Sequence, residues 1–131
     1  MLAPRTALVL ALCATLPLAA CGRSDEREVR DALERYAQAV ERKDYQALCD
    51  DLLSRRLIDN LRRVGAPCET ALQRGLRDVE KPSIVVESVK VNGDTASAVA
   101  RTDAANEEPS KDTIQLAKED GEWKVVDLSS S

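Results

Sequence analysis

The sequence contains no histidine and no phenylalanine, and its aromatic side chains are limited to two tyrosines and one tryptophan. Without histidine, which is the most common general base of enzymes, acid–base chemistry would depend on carboxylates. With so few rings, the core must be built from Leu, Val, Ile and Ala, and stacking of a planar ligand has little support. Glycine and proline number five each, which is too few for a low-complexity chain.

The chain has 131 residues, of which 44% are hydrophobic and 32% charged, a composition typical of one folded domain. Its 23 acidic residues outnumber its 19 basic ones, for a formal charge of −4. Nucleic-acid binding requires a basic surface, so we expect no nucleic-acid partner.

The first residues have the layout of a secretory signal peptide. A short start carrying Arg5 precedes an apolar run from Ala7 to Ala20, which is interrupted only by Thr15 and Pro17. The run is shorter than the roughly 20 residues that a helix needs to cross a bilayer. We therefore predict that residues 1–20 are a signal peptide that is removed.

The end of this segment, Leu18-Ala19-Ala20-Cys21, resembles the lipobox of bacterial lipoproteins. The resemblance implies diacylglycerol on the Cys21 thiol, cleavage before Cys21, and a tether over residues 21–25. It also implies a lipid anchor in the cell membrane, with the protein on the extracytoplasmic face. The alternative is an ordinary signal peptide with an incidental cysteine, and Cys13 is a weaker lipidation candidate because Leu12 directly precedes it.

Two further cysteines, Cys49 and Cys68, remain in the predicted mature chain. In an oxidising compartment an even pair favours a disulfide, which we predict, and two buried free thiols are the alternative. Two cysteines without histidine cannot complete a tetrahedral zinc site, and we expect no metal and no cofactor.

Residues 26–131 are predicted to form a single α+β domain. From Asp25 to Lys43, apolar residues recur every three or four positions, which indicates an amphipathic helix. Asp44 and Ser54 can cap a second and a third helix, and a fourth is expected from Cys68 to Leu76. The predicted buried face of the first helix consists of Val29, Ala32, Leu33, Tyr36 and Val40.

After Pro82 the pattern changes to strands. Asn92-Gly93 and Asp120-Gly121 each predict a hairpin turn between two strands, which gives four antiparallel strands in all. The polar segment from Thr102 to Asp112, which contains Pro109, is predicted to be a loop. Helices followed by a run of strands indicate four helices packed on one face of a curved sheet.

The long first helix, the short helix opened by Lys43-Asp44-Tyr45 and the terminal Gly121-Glu122-Trp123-Lys124-Val125 resemble the nuclear-transport-factor-two-like superfamily. The resemblance spans residues 26–128 and implies a cone in which helices pack into a bent sheet. Such a cone can hold a ligand or an active site. The sequence shows no strand pair between the second helix and the later helices, so we expect a shortened cone.

Two classes of function remain. The lipid anchor and the single domain favour a non-catalytic binding or accessory module that holds an envelope protein or a small apolar ligand. The alternative is a small enzyme of the cyclase or isomerase type that uses carboxylates such as Asp44, Asp50 or Asp51. As simpler readings, Asp44 is a helix cap, and the other two lie on the exposed side of a helix.

A basic face on the third helix is a further candidate. At helical spacing, Arg55, Arg56, Arg62 and Arg63 lie opposite the apolar residues of that helix. They could contact anionic lipid head groups close to the anchor. A solvated face is the simpler interpretation.

Overall fold

A computed structural model describes the backbone of residues 20–130 and the side chains of residues 24–127. The predicted signal peptide, apart from Ala20, and the side chain of the proposed lipid-attachment residue Cys21 lie outside the described part. Both therefore stay predictions. The backbone is helical from Ala20 onward, including the residues for which a tether is predicted in the cleaved chain.

Four helices precede four strands, which confirms the predicted α+β class. The helices are α1 (Ala20–Glu41), α2 (Tyr45–Ala47), α3 (Arg55–Arg63) and α4 (Cys68–Leu76), and α2 continues directly into a π-helical turn, Leu48–Leu52. The strands are β1 (Ser83–Asn92), β2 (Thr95–Ala104), β3 (Glu107–Glu119) and β4 (Glu122–Ser130).

Helix α1 buries one face against the sheet. All five residues predicted for that face are at most 6% exposed, and Ala39 is buried with them. The helix ends at Glu41, two residues before the predicted end, because Lys43 adopts a left-handed backbone with φ of 53°. That conformation breaks the helix and lets Asp44 cap the next one, its Oδ1 accepting from the Ala47 amide at 3.1 Å.

The four strands pair in sequence order as an antiparallel sheet. Both predicted turns are present, and Gly93 and Gly121 have the positive φ angles of 59° and 81° that such tight turns need. Each of the three strand pairs contains a register shift. Because bulges bend a strand, these shifts account for the curvature that makes one face of the sheet concave.

The predicted loop from Thr102 to Asp112 is wrong. Strands β2 and β3 continue through most of it, with Thr102 paired to Ser110, and only Ala105 and Asn106 form the turn. Proline is tolerated at Pro109 because pairing of β3 with β4 begins only at Asp112, so no ladder bond to β4 is lost.

Small side chains of β2 lie in the core between the helices and the concave face of the sheet. Ala96, Ala98 and Ala100 on β2 are at most 3% exposed and belong to the same apolar core as the α1 face. Ile114 and Leu116 on β3 complete the floor of the sheet beneath the helix. The three alanines therefore share one packed face of β2.

An ionic cluster holds the start of α1 to the end of β3. The Lys118 ammonium lies 3.3 Å from Asp25 and 3.5 Å from Glu28, and 5.5 Å from the centre of the Trp123 ring. Hydrogen bonding to Asp25 and the two negative charges raise the pKa of Lys118. The Lys118 amide also donates to the Asp94 carbonyl at 2.8 Å, so this end of the sheet contains both the β1–β2 turn and the first turns of α1.

A disulfide joins Cys49 to Cys68, with 6.0 Å between the Cα atoms, as predicted. It connects the π-helical turn to the first residue of α4. Neither α3 nor α4 contains a fully buried residue, so the disulfide is an important attachment of α4 to the rest of the domain.

Candidate functional site

A mainly apolar hollow lies between α1, α4 and the concave face of the sheet. Its volume is about 430 Å³, within the range that small-molecule sites usually occupy. It opens at the end of the sheet that contains the β2–β3 turn. Its apolar lining is formed mainly by Val40, Leu48, Leu72, Leu76, Ile84 and Ile114. We call this hollow the cone cavity.

One wall of the cone cavity carries a hydrogen-bonded polar cluster. Thr102 on β2 and Ser110 on β3 are direct cross-strand partners, with their hydroxyls 2.7 Å apart. Both hydroxyls bind the same carboxylate oxygen of Asp112, that of Ser110 at 2.8 Å. The cluster therefore fixes the orientation of the Asp112 carboxylate, and its other oxygen accepts no hydrogen bond from the described residues.

Tyr36 supplies a polar group from the opposite side. Its side chain is 6% exposed and lines the cone cavity, while its hydroxyl has no hydrogen-bond partner among the described residues. Burial disfavours the phenolate and raises the pKa of Tyr36 to about 12, so the hydroxyl is neutral at physiological pH. Because the hydroxyl has no partner among the described residues, it is available to a ligand or to water.

The rim of the cone cavity is acidic. Asp103, Glu107 and Glu108 are exposed and line it beside Asp112, and none of these four carboxylates forms a salt bridge with the described residues. The lining contains no lysine and no arginine among those residues. A molecule that enters therefore meets negative charge without a counter-charge from the lining.

The rim is fastened by the side chain of Asn106 in the β2–β3 turn. Its amide nitrogen donates to the Asp78 carbonyl at 2.7 Å, and its amide oxygen accepts from the Glu80 amide at 3.0 Å. The Ala105 amide adds a bond of 2.7 Å to the Glu80 carbonyl. These bonds hold the segment between α4 and β1 against the turn and so define the mouth.

The three carboxylates predicted for the enzyme alternative do not line the cone cavity. Asp44 caps α2, as its simpler interpretation had it, and Asp50 and Asp51 are exposed. The carboxylate that does lie in the cavity is Asp112, which the sequence places at the end of a supposed loop.

The four arginines of α3 are all solvent-exposed, and two of them pair with carboxylates. Arg55 pairs with Asp120 at 2.7 Å, Arg62 with Asp59 at 3.4 Å, and Arg63 hydrogen-bonds Asn60. Arg56 has no ion-pair partner in the described part of the chain. The face is thus a partly neutralised basic surface, and contact with lipid stays a prediction.

Trp123 is a core residue, 4% exposed. Its indole Nε1 is buried without a hydrogen-bond partner.

A smaller hollow of about 260 Å³ lies beside Trp123 and is lined by Arg35, Arg42, Lys124 and their neighbours. Lys124 already binds Glu122 at 3.0 Å and the Asp51 carbonyl, so part of the positive charge there is compensated.

Among the described residues, no cluster of three potential metal ligands occurs. No helix in that part of the chain is both long enough and apolar enough to span a bilayer.

Comparison with known families identifies the domain. A family described as "Putative lumazine-binding" matches residues 24–129, and the chain belongs to this family. No curated protein matches.

Solved structures share the fold. An NTF2-like protein of unknown function from Shewanella baltica is 16% identical with a TM-score of 0.60, and covers 83% of this chain and 94% of its own. One from Silicibacter pomeroyi is 18% identical with a TM-score of 0.61, covering 83% and 96%. A de novo designed NTF2 fold protein reaches 0.52 at 17% identity, covering 78% and 84%. At such identities these likenesses show the fold alone, and they confirm the predicted nuclear-transport-factor-two-like cone.

The cone cavity was missed in the sequence because its residues come from α1, α4, β2 and β3. A signal was nevertheless present. The alternation of Ala96, Ala98 and Ala100 continues through Thr102 to Ala104, which is 6% exposed. That alternation indicates a strand that carries its inward face into the supposed loop.

Proposed function

We propose that this protein is a lipid-anchored, non-catalytic module that binds a small molecule in the cone cavity on the extracytoplasmic side of a cell membrane. The observation that carries the binding role is the cone cavity itself. It combines a ligand-sized volume and an apolar floor with a few convergent polar groups, of which the Tyr36 hydroxyl is unpartnered. The family's description as putatively lumazine-binding supports a small ligand.

The family description does not by itself select the ligand. A flat bicyclic molecule would fit the volume, but Tyr36 is the single aromatic side chain in the described lining. Affinity would therefore depend on shape and hydrogen bonding more than on ring stacking.

Gly75 offers a direct test of binding in the cone cavity. It lines the cavity on α4, and a Cβ placed there would meet no atom within 4 Å. Gly75→Leu should therefore be tolerated by the helix and occupy the mouth of the cavity. Gln73→Leu is the matched control, because it adds a leucine at an exposed position of the same helix outside the cavity.

The full chain is first purified from its own membrane in mild detergent, and native mass spectrometry identifies any retained small molecule. We expect Gly75→Leu to lower its occupancy at least tenfold and Gln73→Leu to leave it unchanged. If both variants retain the molecule equally, the cone cavity is not its site.

The anchor is tested separately by the denatured mass of the same preparation. The proposal requires a chain that begins at an acylated Cys21, and Cys21→Ser should release the protein from the membrane fraction. A mature chain that begins elsewhere, without lipid, would refute the anchor and leave the cavity argument intact.

Catalysis is the second candidate, and the position of Asp112 is the observation that favours it. A carboxylate oriented by two hydroxyls inside a largely apolar cavity could act as a general base. Turnover of the molecule found in the native mass spectrum, and its loss in Asp112→Asn, would support an enzyme. A molecule recovered unchanged after incubation would support the binding role.

A further inference from the structure

The charge distribution of the cone cavity bears on which ligands it can accept. Four carboxylates line it and no basic side chain does, in the part of the chain that the structure describes. An acidic surface alone does not define a site, because exposed carboxylates are usually solvated. The second, independent feature is Tyr36, which is 94% buried and presents an unpartnered hydroxyl to the same cavity.

We infer that the cone cavity selects a compact organic cation, with an apolar body and a protonated amine that binds Asp112. This inference rests on the proposed binding function and deepens it. The apolar body would occupy the floor between α1, α4 and β3, and the ammonium group would lie at the polar wall.

The geometry of the polar wall suits a cation. Thr102 and Ser110 both direct their hydroxyls at one oxygen of Asp112, which leaves the second oxygen of this cavity-lining residue without a partner among the described residues. An ammonium N–H can bind that oxygen in a charge-assisted hydrogen bond, which is stronger than a neutral one. Tyr36 can accept a further N–H or donate to a polar group of the ligand body.

An anionic ligand would be repelled by the same carboxylates. A carboxylate or phosphate would approach Asp112 and the three rim carboxylates without any lysine or arginine of the lining to compensate. Like charges in a partly enclosed site repel, and burying an unpaired charge is costly. The cavity should therefore reject anions of the same shape.

The test uses three probes that share one ring and differ in charge: cyclohexylammonium, cyclohexanol and cyclohexanecarboxylate. Each is titrated calorimetrically into the full chain in mild detergent, with the melting temperature as a second readout. We expect the ammonium probe to bind at least tenfold more tightly than the alcohol, and the carboxylate more weakly than the alcohol. High salt should reduce the difference in affinity between the charged probes and the alcohol, because it screens the exposed carboxylates of the rim.

Two variants distinguish the effect of Asp112 on the ammonium preference from the effect of general surface charge. Asp112→Asn preserves the shape of the side chain and should reduce the preference for ammonium over alcohol to less than threefold. Asp31→Asn is the matched control, since it removes the same charge from an exposed position on α1 outside the cavity, and it should preserve the preference. If Asp112→Asn fails to fold, the double variant Glu107→Gln/Glu108→Gln should still lower the preference measurably.

The outcomes distinguish this inference from the proposed function. Equal or tighter binding of the alcohol or the carboxylate would overturn the cation preference while the binding function stands. A preference that is unchanged in both the Asp112 and the Glu107/Glu108 variants would also overturn it. Absence of binding by all three probes, together with a bare native mass, would overturn both.

Discussion

Removal of the Cys49–Cys68 disulfide should weaken the domain by an amount that follows from the loop it closes. The two residues are separated by 19 positions, and for a loop of this length the chain-entropy model gives about 3 kcal/mol of stabilisation. At roughly 4 °C per kcal/mol for a domain of this size, the double variant Cys49→Ala/Cys68→Ala should melt about 12 °C lower.

The loss of stability should also be concentrated in α4. Helix α4 has no fully buried residue, so it depends on the disulfide and on partly buried contacts of Leu72 and Leu76. We expect hydrogen exchange to accelerate across Cys68–Leu76, while β2 and β3 remain protected by their ladder and core. Because α4 forms one wall of the cone cavity, ligand binding should weaken in parallel.

Urea unfolding and hydrogen-exchange mass spectrometry, each with and without reductant, measure both effects. Reductant should destabilise the wild-type chain but not the double variant, which controls for effects elsewhere. An unfolding midpoint unchanged by the double substitution, or faster exchange spread evenly over helices and strands, would refute the reasoning.

Three further variants test the core, the tyrosine and the rim. Since burial raises the pKa of Tyr36 from 10.0 to about 12, the unfolded state loses this proton first, and stability should fall as pH rises from 10 to 12 by up to about 3 kcal/mol. Tyr36→Phe should remove that component from urea titrations, and an identical alkaline slope in both proteins would contradict it. Ala100→Leu, at a position with no exposure under α1, should overpack the core and cost about 1–3 kcal/mol by urea unfolding, so a neutral result would mean that the helix can move away. Asn106→Ala removes two hydrogen bonds worth about 1 kcal/mol each and should speed exchange at residues 77–82, and unchanged exchange there would show that other contacts fasten the rim.

The sequence was sufficient for the elements whose signals are local. The helical spacing of α1 predicts its buried face, and Asn92-Gly93 and Asp120-Gly121 predict the two outer turns, because only a few residues determine each. The pairing of Cys49 with Cys68 follows from counting cysteines in the expected mature chain. These predictions needed no knowledge of tertiary contacts.

The cone cavity could not be predicted in the same way. Its polar wall forms where Thr102 pairs with Ser110 across two strands. Because this segment is polar and contains Pro109, its sequence predicts a loop instead of two strands. Asp103, Glu107 and Glu108 fall within the segment predicted to be a loop, although they line the mouth of the cavity. Which carboxylates share an enclosed space depends on strand register and curvature, and neither is encoded by any single segment.

The ionic cluster at Lys118 has a consequence for how the domain would stand on a membrane. It holds Asp25, four residues after Cys21, at the end of the sheet opposite the β2–β3 turn. The ten residues of β2 separate those two ends by about 30 Å. If Cys21 carries the proposed lipid, the anchor and the mouth of the cavity lie at opposite ends of the sheet, and we expect ligand to exchange with the aqueous space and not with the lipid phase.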